Sequence, residues 1–334
     1  MVSAISEFGP EDMYAGGCNY CIPQQVIEEW NRGIGFGSIT PYSPHIQRLV
    51  DEVAQKIWKS YLDDVRPVEQ PWIVVTAGAP GAGKTTVLER DLKEAAEAGQ
   101  PRPVYVDPDA VFLKEMYAQH DPRDLFSQLN DEDESKTEDK PLTERHIRQM
   151  VYNLLRPASN GKTHQMLSNA IKLKLPIYFG STSTNPRTPG SFQFYKNEGY
   201  RIRVPYVIAP DDIRWGSIKR RDGTFVQTTE EDTREKGKLL PQRIHDTFLT
   251  FADQIDFWYR DQVDGAAVKV AEWKKLSDSE HQGELTILNT PMYEAMTKVH
   301  NASCQSIGNP EVDPVALLWE NSVEKVSRIV RLQR

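Results

Sequence analysis

An apolar run, Trp72-Ile73-Val74-Val75-Thr76-Ala77, leads directly into Gly78-Ala79-Pro80-Gly81-Ala82-Gly83-Lys84-Thr85-Thr86. The spacing G-x-x-x-x-G-K-[ST], after a strand and before a helix, constrains the chain more than any other stretch. The glycines let the backbone curl so that successive N–H groups converge on a phosphate, a geometry a Cβ would obstruct. Lys84 then supplies a point charge for the β- and γ-phosphates of a nucleoside triphosphate, and the Thr85 hydroxyl can complete a Mg²⁺ shell. A helix from Lys84 to about Ala98 would offer its unpaired N-terminal N–H groups and its dipole to the same anion. A chance glycine turn is the plain alternative, and the strand, the helix and all four fixed positions together disfavour it. The motif predicts ATP-type triphosphate binding with Mg²⁺ at residues 78–86.

With 334 residues the chain can bury a large core, as one embellished α/β domain or two domains. The balance of 40 basic against 48 acidic residues, a net charge of −8, argues against broad binding to nucleic acid or to an anionic membrane. No run of 18 apolar residues occurs, and Met1 to Met13 is mixed and acidic, unlike a signal peptide. Three cysteines make no disulfide framework. Cys18 and Cys21 form a C-x-x-C without a second metal-binding pair or a thioredoxin-like setting, and read as ordinary thiols in a reducing compartment.

Along the chain, Gln24 to Arg32 and His45 to Asp64 read as amphipathic helices of an N-terminal extension covering 1–70. The core, 71–275, alternates strands and helices. Strands are expected at 72–77, 104–106, 175–179, 200–208 and 255–260. Helices are expected at 84–98, 110–119, 143–155, 163–174, 192–198, 211–221 and 241–255. The charged stretch from Asn130 to Asp139 reads as a solvated insertion. The region 276–334 is read as a helical C-terminal extension, with Val315, Leu317, Leu318, Val323, Val326, Ile329 and Val330 at helical spacing from Met292 on. This rhythm predicts an α/β fold with a central, mostly parallel sheet and helices on both faces.

The loop alone does not separate a kinase from an ATPase or a GTPase. No N-K-x-D guanine reader is present, and the strand-end carboxylates of note are Asp107 and Asp109, after the second strand. In open α/β sheets ligands bind at the carboxyl ends of strands. Asp109 there could take the proton of a substrate hydroxyl as the γ-phosphoryl transfers, while Asp107 orients a Mg²⁺-bound water. The alternative for Asp109 is a helix N-cap. A second constellation, Arg214-Trp215-Gly216-Ser217-Ile218-Lys219-Arg220-Arg221, lies on an expected helix. At about 100° per residue Arg214, Ile218 and Arg221 share a face and Arg220 points elsewhere. Its arginines suit the equatorial oxygens of a transferring phosphoryl group, or else form a solvated basic face. The loop Ser181-Thr182-Ser183-Thr184-Asn185 with Arg187 suits ribose or phosphate recognition, or is a plain Ser/Thr turn.

The order of these features resembles the zeta-toxin family of P-loop kinases. Gly216-Ser217-Ile218-Lys219-Arg220 is similar to that family's lid segment, which implies a γ-phosphate-binding role for Arg220. Lys238-Leu239-Leu240-Pro241 followed by His245-Asp246 is similar to its R-x-x-P…H-D stretch, with Lys238 at the place of a second phosphate-contacting arginine. Lysine keeps the charge but not the bidentate fork. The resemblance puts Asp109 at the general base and covers about 70–275. One departure concerns the acceptor. The family's E-G-T at the end of a strand is matched here by Tyr178-Phe179-Gly180-Ser181-Thr182, without the acid that lines a sugar-nucleotide pocket.

The helical extensions at both ends, together with Gly78-Ala79-Pro80-Gly81-Ala82-Gly83-Lys84-Thr85-Thr86, resemble those family members that plant pathogens secrete by a type III route. The resemblance implies an ATP-dependent kinase acting on the 3′-hydroxyl of the adenosine ribose of NAD, with UDP-N-acetylglucosamine as the other acceptor. It implies a small antitoxin-like or chaperone partner. It also implies residence in a bacterial cytoplasm before secretion into a host cell, with the secretion leader missing from these 334 residues. In this reading Asp109, Lys84, Arg220 and Lys238 are catalytic, residues 78–86 bind ATP, and Thr85 holds Mg²⁺. Asp107, Ser181, Thr182, Arg187 and Arg214 face the acceptor. A polynucleotide 5′-kinase fits the acidic balance poorly. A non-catalytic module gated by nucleotide is the rival from another class.

Overall fold

Ser43 accepts the Ile46 N–H and Pro44 presets φ at the first helical position, so the chain enters helix α1 (Pro44–Asp64). Its stripe of Ile46, Val50, Val53, Ile57 and Trp58 is buried. The computed structural model describes residues 42–130, 143–221, 228–276 and 282–332. The expected helix at 24–32, the Cys18–Cys21 pair and nearly all of the charged stretch from Asn130 to Asp139 lie outside them. The Arg221 side chain does too.

After α1 come β1 (Trp72–Val75), α2 (Lys84–Glu97), β2 (Val104–Val106), α3 (Lys114–Gln119), α4 (Pro122–Asn130) and α5 (Glu144–Lys172). Then follow β3 (Ile177–Phe179), α6 (Thr188–Asn197), β4 (Arg201–Ile208), α7 (Asp211–Arg221) and α8 (Glu230–Arg243). The chain closes with β5 (Gln254–Tyr259), β6 (Val268–Lys275), β7 (Gly283–Ile287), α9 (Thr290–Gln305) and β8 (Ser327–Leu332). It divides into two compact units, Met1–Pro67 with Arg102–Leu175, and Val68–Pro101 with Pro176–Arg334.

In the first unit, α5 is one helix of 29 residues rather than the two expected. Pro157 sits inside it and removes one backbone donor. The helix persists because Val151, Leu155, Ala158, Met166, Leu167, Ala170 and Ile171 are all buried, and packing of that stripe outweighs the local break. The helix expected at 110–119 begins instead as a wide π-helical turn, Pro108–Leu113, before tightening into α3.

The second unit holds a mostly parallel sheet in the order β3-β1-β4-β5-β6-β7-β8. β1 runs parallel to β3 and β4, and β4 parallel to β5, with Ile73 opposite Ile177 and Ile202. β5-β6-β7 is an antiparallel meander, and β8 returns parallel to β7. The β-branched and aromatic run of β4 is buried from Val204 to Ile208 between two parallel neighbours, as parallel strands require. Among the described residues, the carboxy-terminal region expected to be helical is helical over Thr290–Gln305 and, as a short π-helical turn, over Glu320–Glu324. It also contributes β7 and β8, and its Ile329 and Val330 lie on a strand. β6 was not anticipated, and the helix expected at 241–255 starts earlier, at Glu230. Among the described residues no helix is long and apolar enough to cross a membrane.

Candidate active site

The loop after β1 has the geometry its glycines predict. Gly78 packs so closely on β4 that a Cβ there would lie 2.7 Å from the Val207 carbonyl oxygen. Gly81 has φ +77°, and a Cβ on it would lie 2.4 Å from the Arg214 carbonyl oxygen. Helix α2 begins after Gly83 (φ +101°) with no side chain capping it. The Ala82 N–H and Lys84 Nζ both donate to the Ala79 carbonyl, at 3.2 and 3.1 Å. Two donors thus converge on one point within the loop. Thr85 and Thr86 are exposed on the first turn of α2, Ala79 is buried, and Pro80 and Gly81 are half-buried.

The loop leaving β3 is stitched to the end of β1. Thr76 Oγ1 donates to the Ser181 carbonyl at 2.8 Å and accepts the Ser181 N–H at 2.9 Å. Ser183 Oγ donates to the Thr76 carbonyl at 2.7 Å, and the Thr182 carbonyl accepts the Gly78 N–H at 3.1 Å. Of the hydroxyls expected to read an acceptor, Ser181 Oγ accepts the Ser183 N–H and Thr182 Oγ1 bonds Thr184 Oγ1. Much of this loop's polarity therefore fixes its own shape. Arg187 stands exposed, its N–H on Asn185 Oδ1 at 2.8 Å.

Arg214, expected to face the acceptor, is buried to 3% exposure instead. Its guanidinium donates to the carbonyls of Ala209 and Thr233, at 3.2 and 2.6 Å, and pairs with Asp211. Gly237 of α8 packs against it, since a Cβ there would lie 2.5 Å from Nη2. Arg214 joins α7 to α8 and is spent on the fold. Arg220 is exposed and pairs with Asp264, while Lys238 Nζ holds Glu235 Oε1 at 2.6 Å. The lid-like segment is clasped to the loop after β5. Ser217 Oγ reaches the Val263 carbonyl at 3.1 Å, and a Cβ on Gly216 would lie 2.8 Å from Val263 Cγ2.

In the other unit, the capping role weighed as the alternative for Asp109 belongs to Asp107, whose Oδ1 accepts the N–H groups of Asp109 and Ala110 at 2.8 and 2.7 Å. That commits Asp107 to the turn and releases the Asp109 carboxylate from it. Asp109 Oδ1 pairs with Arg156 and accepts the Tyr152 hydroxyl at 3.3 Å. Burial pushes the Arg156 guanidinium down to about 10, against the pull of the Asp107 charge. Arg156 and Tyr152 were missed, although their four-residue spacing on one helix places them side by side. Arg260 was missed as well. It follows β5 directly and donates to the Gly81 carbonyl and to Ser217 Oγ.

The family model described as Zeta toxin matches residues 58–275, well over half the chain. The chain belongs to the zeta toxin family. The matched stretch contains the loop 78–86, Asp107 and Asp109, the segment 214–221 and Lys238. No curated protein matches the chain. Among solved structures, this zeta toxin family member is similar to one of the PezAT chromosomal toxin–antitoxin system of Streptococcus pneumoniae. The two share 14% identity and a TM-score of 0.42, over 69% of this chain and 83% of the other. It is similar also to the native AvrRxo1-ORF1:-ORF2 complex, at 14% identity and TM-score 0.47 over 96% and 94% of the two chains. The same complex with ATP gives 15% and 0.47 over 87% and 92%.

Proposed function

We propose that this zeta toxin family member is an ATP-dependent phosphotransferase whose acceptor is the 3′-hydroxyl of the adenosine ribose of NAD. One observation carries the reading, the convergence of the Ala82 N–H and Lys84 Nζ within the loop 78–86 of a family-matched stretch. Those donors suit the β- and γ-phosphates, with further N–H groups offered by the uncapped start of α2. The exposed Thr85 hydroxyl suits Mg²⁺, which prefers one or two protein oxygens and completes its shell from phosphates and water. Bound there, the metal would offset charge on the β- and γ-oxygens.

In the transfer, Asp109 takes the proton of the acceptor hydroxyl, that oxygen bonds the γ-phosphorus, and the bond from the γ-phosphorus to the ADP oxygen breaks. Arg220 and Lys238 would steady the transferring group. Their present pairs with Asp264 and Glu235 are solvent-facing, so exchanging them for phosphate oxygens costs little. The catalytic stretch in this reading is 71–275. NAD is preferred over a nucleotide sugar because β3 ends at Phe179 and runs into Gly180-Ser181, with no acid to hold sugar hydroxyls. The same resemblance supports a small antitoxin-like or chaperone partner and delivery into a host cell.

Incubation with Mg-ATP and NAD, followed by mass spectrometry, tests the acceptor. The expected product is NAD heavier by one phosphoryl group. Unmodified NAD beside a phosphorylated UDP-sugar would overturn NAD as the acceptor. No transfer to any acceptor, with ATP altering the affinity for a partner protein, would overturn catalysis itself.

A further inference from the structure

Arg260 is only 8% exposed, and among the described residues no carboxylate forms an ion pair with it. Burial pushes its guanidinium below the ordinary arginine range, and the nearby charge of Asp264 offsets part of that push. A buried cation without an ion-pair partner is costly unless its hydrogen bonds serve some end. Here Nη2 donates to the Gly81 carbonyl and, at 2.6 Å, to Ser217 Oγ of α7. The guanidinium also lies alongside the loop, since a Cβ on Gly83 would be 3.8 Å from Nη1.

The Gly81 carbonyl and the Ala82 N–H belong to one trans peptide and point in opposite directions. Gly81 sits at positive φ without a Cβ, so its own sterics do little to choose between this peptide orientation and a flipped one. The Ala82 N–H bond to the Ala79 carbonyl, at 3.2 Å, favours the present orientation from inside the loop, and the Arg260 bond to the Gly81 carbonyl favours it from outside. We propose that Arg260 is the positioning residue of the nucleotide site. By gripping the Gly81 carbonyl it aims the Ala82 N–H inward, at the point where Lys84 Nζ also converges, and through Ser217 it ties that peptide to α7. The inference rests on the loop being a nucleotide site, as proposed above. It adds a residue outside the motif that sets the loop's donor geometry, and a physical link between that geometry and the segment bearing Arg220.

The test uses the full chain with Arg260→Met, which keeps length but loses every donor, and Arg260→Lys, which keeps the charge and a donor. Calorimetric titration with Mg-ATP, Mg-ADP and inorganic tripolyphosphate reads the site. Arg260→Met should weaken all three by about tenfold and in parallel, because the lost N–H serves phosphates and not the base. Arg260→Lys should recover part of the loss. The Ala82 amide resonance should shift in the Met variant and move back toward its wild-type position in the Lys variant. Wild-type affinity for tripolyphosphate in Arg260→Met overturns the inference while leaving the nucleotide site intact. A wild-type chain that binds neither nucleotide nor tripolyphosphate overturns the nucleotide reading and this inference with it. Should the Met variant not fold, Ser217→Ala removes the tie to α7 without disturbing the buried charge. A two- to threefold weakening of all three ligands supports the tie, and unchanged affinities overturn it.

Discussion

At residue 109 a carboxylate stands beside a guanidinium and a phenol, on a turn whose capping is done by its neighbour two positions earlier. The turn therefore makes no claim on the Asp109 carboxylate, whose partners are Arg156 and Tyr152. Asp109→Asn should lower the rate of phosphoryl transfer by 10²-fold or more, in line with the usual contribution of a positioned base. Mg-ATP affinity should change by less than about twofold, read by product formation and by titration. Retained turnover would remove Asp109 from its role. Lys84→Ala is the converse case. It should cost on the order of tenfold or more in Mg-ATP affinity, since a charge-assisted contact to phosphate is lost. An unchanged dissociation constant would contradict the site. Lys84 and Thr85 are proposed from motif spacing, and Asp109 from its place after the second strand and the family resemblance. Arg156 and Arg260 were not legible in the sequence. Each acts on a neighbour brought to it by the fold, and no motif fixes a guanidinium 47 residues from its carboxylate or 179 from its carbonyl.

Among the elements, β4, β5 and β6 share one buried ionic cluster. Asp256 of β5, fully buried, pairs with Arg203 of β4 and with Lys269 of β6, the latter at 2.7 Å. Arg203 also holds Asp91 of α2 at 2.9 Å, tying that helix to the sheet. Burial alone would raise the Asp256 carboxyl, but Arg203 and Lys269 overcome it and hold the group below the ordinary carboxylate range. A depressed folded value means the stabilisation is present above the unfolded value, about 4, and is lost as pH falls through the lower folded one. Asp256→Asn should therefore cost about 3 kcal/mol near neutral pH, by leaving two cations short of a partner. The gap to wild type in urea unfolding should narrow as pH drops below about 4. A gap that stays constant into acid would show that the charge contributes nothing.

The parallel strands of this sheet were readable from their apolar runs, whereas β6 to β8 were not. The β6 sequence Val268-Lys269-Val270-Ala271-Glu272-Trp273-Lys274-Lys275 buries Glu272 and Lys269 in part through this cluster, which masks its period of two. β8 carries its apolar residues largely exposed, so their spacing followed a helix as readily as a strand. In α5 the opposite conflict arose, with a local breaker overruled by packing.

For the chain as a whole, the P-loop, the stitched exit loop of β3, Arg214, Arg260 and the Asp256 cluster all lie within the unit formed by Val68–Pro101 and Pro176–Arg334. A ligand that binds the folded loop and not the unfolded chain adds its binding free energy to the stability of that unit. At 100 times its dissociation constant, Mg-ATP contributes about 2.7 kcal/mol. Spread over the unfolding entropy of a unit of this size, that corresponds to a rise in thermal midpoint on the order of 5 °C. Scanning calorimetry should show the rise with Mg-ATP, and a matching one with inorganic tripolyphosphate if the phosphates dominate. Lys84→Ala should cut both by about half at the same ligand concentrations, because a tenfold weaker dissociation constant leaves about 1.4 kcal/mol of the stabilisation. Adenosine alone should leave the midpoint where it was, because the proposed site holds its ligand through the phosphates, at Lys84 and the uncapped start of α2. A midpoint that fails to move at saturating Mg-ATP would separate this chain's family membership from nucleotide binding, and would leave the buried charge of Arg260 with a purely architectural part to play.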